Sequence, residues 1–194
     1  MSDNIFYVCG YHATGKTELS KWLAGRENCS FIETGDVVRD LYSARMPELS
    51  ALSLTEYVEH QESERPGYFS EQIVRLTNQL PDELDIIVNG MRSAKYILQL
   101  KERLPESRHM VIWIDSPRDA LQERYVKREG VEVNQNSFEE LLQIDERLGI
   151  ESLREIADFV LKNDRNIEYL FQQAQELMER THLETLRDGI GFQK

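Results

Sequence analysis

At 194 residues the chain is long enough for one domain with a substantial core and too short for two comfortable ones. A formal net charge of −12 argues against a nucleic-acid scaffold, since phosphate backbones are repelled unless a local basic cleft dominates; any anionic ligand must be met by a few placed Arg and Lys residues. Two cysteines without metal-ligand spacing, Cys9 and Cys29, and the lack of any apolar run of membrane-spanning length lead us to expect a soluble cytoplasmic protein with reduced thiols and no membrane partner.

In chain order, Ile5 to Cys9 reads as a buried strand and Glu18 to Ala24 as a helix. Between them Gly10-Tyr11-His12-Ala13-Thr14-Gly15-Lys16-Thr17 has the form G-x-x-x-x-G-K-T, the order of strand, loop and helix that a P-loop requires. Gly10 and Gly15 let the backbone turn tightly, so that successive N–H groups and the positive end of the helix converge on a phosphate chain. Lys16 then reaches the outer phosphates of ATP, and the Thr17 hydroxyl can ligate Mg²⁺. Tyr11 and His12 lie inside the loop, where a solvent-facing or packing role is expected because the loop works through its backbone.

Cys29 to Glu33 reads as a second strand, followed by Thr34-Gly35-Asp36 and a helical pattern from Val37 to Tyr42. Polar residues at the C-terminal end of a strand are where ligands sit in open α/β sheets, which makes this turn a second candidate site. Ser43 to Pro66 is polar and weakly periodic, with a charge-rich run from Glu56 to Arg65, and is expected to hold short helices joined by exposed turns. Tyr68 to Leu80 carries Phe69, Ile73, Leu76 and Leu80 on one helix face. Together, residues from about 43 to 80 form a helical insertion expected to act as a flap over an acceptor.

Asp85 to Asn89 is the third expected strand, ending in Gly90-Met91-Arg92-Ser93 before a helix from Ala94 to Arg103. Met110 to Asp115 is the fourth, with Trp113 in the core, and Ser116-Pro117 starts a helix to about Lys127. A polar segment between Arg128 and Glu140 overlaps a helix from about Phe138 to Leu148; Ala157 to Lys162 is the last strand and Ile167 to Met178 a closing helix. The tail from Leu183 to Lys194 is expected to fray. Strands alternating with helices imply an α/β fold, a single domain over residues 1–182 with a five-stranded, mostly parallel sheet flanked by helices.

Three stretches resemble the P-loop kinases of nucleoside monophosphates and related small molecules: Gly10 to Thr17, Thr34-Gly35-Asp36-Val37-Val38-Arg39, and Asn89-Gly90-Met91-Arg92-Ser93. The second is similar to the T-G-D-x-x-R of adenylate kinases and the third to their D-G-x-P-R. G-D-V-V-R-D, N-G-M-R-S, D-E-R-L-G-I and A-D-F-V-L-K-N occur here in the order found in adenylate-kinase-like and dephospho-CoA-kinase-like nucleotide kinases. The resemblance spans roughly residues 4 to 178 and implies a P-loop NTPase fold with ATP and Mg²⁺ as cofactors.

It further implies that Thr34, Arg39 and Arg92 bind the acceptor, and that Asp36 orients Mg²⁺ through water or acts as base toward a hydroxyl. Arg124, Arg128 and Arg147 would belong to a short lid, about residues 124–148, over the transferring phosphate. The adenine pocket is expected near Arg124 and the Lys162-Asn163-Asp164 turn. Asn89 departs from the pattern, standing where adenylate kinases have an Asp that holds a metal-bound water; Asp115 is the nearby acid that could substitute, or simply cap the Ser116-Pro117 helix. The leading expectation is phosphoryl transfer to a nucleoside monophosphate. The alternatives are a hydroxyl-acceptor kinase, with Asp36 as general base, and a nucleotide-binding regulatory protein with little turnover.

Overall fold

A strand whose residues are apolar on both faces has to be covered on both. In the computed structural model, which describes residues 4–25, 28–49, 52–130 and 135–190, β1 (Asn4–Cys9) is buried at every position in the middle of a sheet. It pairs with β3 (Asp85–Asn89) on one side and β4 (Arg108–Asp115) on the other. Outside these lie β2 (Cys29–Glu33) and β5 (Phe159–Lys162), giving the order β2-β3-β1-β4-β5 with every pairing parallel. Tyr7 and Cys9 face one core, with Ile86, Val88, Val111 and Trp113; Phe6 and Val8 face the other, with Ile87, Ile112 and Ile114.

Helices close both faces, as parallel crossovers require. The Tyr7 side is covered by α4 (Tyr68–Thr77), α5 (Ala94–Arg103) and the short α8 (Glu151–Glu155), through Ile73, Ile97 and Leu153. The Phe6 side is covered by α1 (Lys16–Ala24) and α9 (Ile167–Ile190), through Leu19, Leu23, Leu170 and Leu177. The stretch expected to be broken by turns holds two sustained helices, α2 (Thr34–Leu49) and α3 (Leu54–Glu64), the latter started by a capping box between Ser53 and Glu56. Further on come α6 (Arg118–Glu129) and α7 (Gln135–Leu148). α9 runs past the stop expected near Met178; residues 191–194 of the expected tail, and 131–134 of the expected lid, lie outside the described residues.

Among the described residues no helix is long and apolar enough to cross a membrane. Because all five strands run the same way, their C-terminal ends gather the loop after Cys9, Thr34, the Gly90-to-Arg92 turn, Asp115 and Asn163 along one edge of the sheet.

Candidate active site

The loop from Gly10 to Gly15 owes its shape to close approaches. Gly10 has φ 148° and a Cβ there would stand 2.9 Å from the Ile114 carbonyl; Gly15 has φ 90° and a Cβ would meet Asn163 Nδ2 at 2.9 Å. Ala13 also adopts a positive φ, 62°. Lys16 Nζ folds back to donate to the Tyr11 carbonyl at 2.6 Å. Burial, and then the charge of Arg92, push the Lys16 ammonium down to about 7, a shift that phosphates arriving beside it would reverse.

Thr17, the first helical hydroxyl, donates to Glu33 Oε2 at 3.2 Å. Asn89 Nδ2 donates to the same carboxylate at 2.5 Å and to Thr17 Oγ1 at 3.2 Å, as the register that sets Glu33 opposite Asn89 dictates. Asn89 Oδ1 is buried with no hydrogen-bond partner. A hydroxyl, a carboxylate and an orphaned amide oxygen are hard donors of the kind Mg²⁺ takes, directly or through its waters, so these residues fit that ion.

One cleft, of about 520 Å³, is lined by the loop, Lys16, Thr17, Arg124, Lys127, Arg128 and Asn163, among others. Arg124 donates to the Asn163 carbonyl at 2.8 Å and to Oδ1 at 3.2 Å, and Asn163 Nδ2 in turn donates to the Thr14 carbonyl at 2.9 Å. Arg124 and the turn at Asn163, placed together by the sequence reading, do meet. Arg128 reaches the cleft and pairs with Glu129.

A second cleft, of about 790 Å³, lies between α2, α3, α5 and α7. Thr34, Arg39, Arg92 and Arg147 all line it, so Arg147 stands apart from Arg124 and Arg128, which line the first cleft. The two clefts meet at His12, Thr17, Glu33, Gly90 and Arg92. Asp36 lines neither: its carboxylate is 68% exposed and holds Arg39 at 2.6 Å, because as an early residue of α2 it points away from Thr17, whose carboxylate partner is Glu33. Asp115 likewise turns to Arg154, at 3.6 Å.

Of the two roles expected for His12, the structure shows a ring packed and paired inside the site, its side chain 23% exposed. Its Nδ1 is 2.7 Å and its backbone N–H 3.1 Å from Oδ2 of Asp145, a fully buried residue of α7 whose other oxygen takes Arg92 Nη1 at 2.5 Å. Arg92 Nη2 also reaches His12 Nε2 at 3.0 Å. Burial alone would raise the Asp145 carboxyl, but hydrogen bonds from His12 and the charge of Arg92 outweigh it and hold the group below its usual range. Burial lowers the His12 imidazole, with Asp145 opposing. Glu33 and Asp145 are the site residues the sequence reading passed over. The available signals were a carboxylate ending a strand just before Thr34-Gly35-Asp36, and the first residue of the D-E-R-L-G-I motif.

Five parallel strands in the order 2-3-1-4-5, with a P-loop leaving the central one and an acceptor-sized cleft beside it, define the fold of the P-loop kinases. Comparisons with known proteins agree. The solved structure of TT1252 from Thermus thermophilus superposes with a TM-score of 0.66 at 15% identity, over 93% of this chain and 98% of that one. A gluconokinase from Sinorhizobium meliloti gives 0.63 at 16% identity, over 94% and 97%. A shikimate kinase from Acinetobacter baumannii, solved in complex with shikimate, gives 0.57 at 15% identity, over 96% of each. By sequence the chain is 28% identical over 169 residues to a UPF0200 protein of Pyrococcus abyssi, covering 82% of this chain and 87% of that one. No family model matches.

Proposed function

We propose that this protein transfers the γ-phosphoryl group of ATP to a hydroxyl of a small polar metabolite, with α2 to α4 as the acceptor flap and α6 and α7 as the lid. The observation that carries the reading is how the cations are held. On the donor side Lys16 rests on a carbonyl and Arg124 on the Asn163 oxygens and the Ser116 hydroxyl, neutral oxygens that yield readily to a polyphosphate, while Arg128 holds only an exposed pair with its neighbour Glu129. On the acceptor side each cation already faces a carboxylate: Arg92 with Asp145 at 2.5 Å, Arg39 with Asp36 at 2.6 Å, Lys95 with Glu62 at 3.6 Å and Arg147 with Glu59 at 3.8 Å. The exposed pairs are weak, but parting buried Asp145 from Arg92 costs about 3–5 kcal/mol, which disfavours an acceptor that brings its own dianion.

In this mechanism the loop N–H groups and Lys16 take the ATP phosphates. Thr17, Glu33 and Asn89 Oδ1 would hold Mg²⁺, which neutralises charge on the β and γ oxygens when bound. Arg92 and the residues around it orient the acceptor at the meeting point of the clefts. A cytoplasmic setting, where ATP and a reduced thiol such as buried Cys9 both belong, goes with this reading.

The second reading, a nucleoside monophosphate acceptor, is favoured by the apolar wall of the larger cleft, where Val37, Val38, Phe69 and Ile73 could flank a base. The test is ADP production from ATP and Mg²⁺ with a panel of hydroxyl acceptors (gluconate, shikimate and dephospho-CoA among them) and the nucleoside monophosphates, beside Lys16→Ala. Stimulation by a hydroxyl acceptor, lost in the Lys16 variant, is expected; stimulation by a monophosphate alone moves the assignment to the second reading.

A further inference from the structure

We propose that His12, oriented by Asp145, is the general base that takes the proton of the acceptor hydroxyl, an assignment that rests on the hydroxyl-acceptor reading above. The place is the first argument. His12 lines both clefts where they meet, so a hydroxyl attacking the γ-phosphorus from the acceptor side passes its ring.

The tautomer is the second. An ionised carboxylate only accepts hydrogen bonds, so Asp145 Oδ2, 2.7 Å from Nδ1, fixes the proton on that nitrogen and leaves Nε2 with its lone pair. Arg92 covers the ring, with Nη2 3.0 Å from Nε2 and Nη1 3.4 Å from Nδ1, so the Nη2 arm must swing to the acceptor before Nε2 can take a proton. A buried Asp orienting a His through Nδ1 is the arrangement of the base half of a catalytic triad.

The third argument is elimination among the carboxylates of the edge. Asp36 points outward beside Arg39, and Glu33 Oε2 is engaged by both Thr17 and Asn89. Among the described residues the charged groups acting on the His12 ring are Asp145 from α7, Arg92 from the turn after β3 and Lys16 from α1, while Glu33 from β2 lines the same junction. Burial, which leads the shift, keeps the imidazole neutral and ready to accept near neutral pH.

In the step, the acceptor oxygen forms a bond to the γ-phosphorus as the bond from that phosphorus to the β,γ-bridging oxygen breaks, and ADP leaves with the electron pair. The hydroxyl proton passes to Nε2. The imidazolium so formed is balanced by Asp145 and returns its proton to solvent after product leaves.

The experiment measures turnover of the full-length protein with the hydroxyl acceptor from the panel, between about pH 5 and pH 9, for wild type, His12→Gln, His12→Ala, Asp145→Asn and Glu33→Gln. A non-hydrolysable ATP analogue is titrated into each to establish that the donor site is intact. We expect wild-type kcat to fall toward low pH along a single limb below the ordinary histidine value. In His12→Gln that limb disappears and kcat drops roughly a hundredfold or more, with analogue affinity unchanged. Asp145→Asn shifts the limb, and added imidazole restores part of the turnover of His12→Ala, which a merely structural histidine would not allow. Turnover of a hydroxyl acceptor that His12→Gln leaves within about threefold of wild type, or a limb that disappears with Glu33 instead, overturns the base assignment alone. Turnover confined to monophosphates, or none with any acceptor, overturns the hydroxyl reading and this assignment together.

Discussion

Glu33 accepts hydrogen bonds from Thr17 and Asn89 with one oxygen, and that contact gives it a measurable role. Replacing Glu33 by Gln keeps its size and removes its charge, so the Mg²⁺ concentration giving half-maximal ADP release should rise roughly tenfold or more, while metal-free nucleotide affinity stays near wild type. A half-maximal Mg²⁺ concentration unchanged from wild type would remove Glu33 from the metal's surroundings. The P-loop itself was legible in the sequence because its glycines stand at fixed spacing between a strand and a helix. Asp145 was not: it reaches His12 across 133 positions of chain, and no local pattern records such a meeting. Asp36 misled for the converse reason, since it has the motif position but faces solvent beside Arg39.

At the level of elements, the join of β1, loop and α1 is tight enough to have no tolerance for a side chain at Gly15. Gly15→Ala must hold an alanine at φ 90° with its Cβ 2.9 Å from Asn163 Nδ2, so ATP affinity should fall roughly tenfold or more, read by calorimetric titration. An unchanged affinity would mean that the loop rearranges freely and does not depend on Asn163. Arg147→Ala removes the contact between α7 and Glu59 of α3 across the larger cleft; it should raise the acceptor KM several-fold and leave the ATP KM unaltered, the reverse of what a donor-side arginine would do. Strands Cys29–Glu33 and Asp85–Asn89 and helix Ala94–Arg103 could be read to the residue, because apolar runs bounded by turn residues leave little choice. α8 escaped notice: five residues are too few to show a period, and its Leu153 is placed by the core it caps.

For the whole molecule, two half-buried histidines bear on the acid side of stability. Burial lowers both His12 and His109, the latter fixed between the Tyr7 hydroxyl and the Leu104 carbonyl, each at 2.8 Å. Their folded values lie below 6.5, so as pH falls through that point the unfolded chain takes up protons first and stability declines toward the folded values. The urea midpoint should therefore drop between about pH 7 and pH 5.5, and His109→Gln should flatten part of that slope. An unaltered slope would mean that His109 titrates alike in both states. Asp145, held low, adds stability that is fully present above the ordinary carboxylate range and is lost only as pH falls below that range toward its folded value. Both cores hang on one central strand, yet the donor loop at its end is held by a residue 149 positions later, Asn163, through the Thr14 carbonyl. A chain still on the ribosome can pair its first four strands, but the loop gains its Asn163 contact only after the fifth has emerged, so the loop is among the last parts of this fold to be fixed.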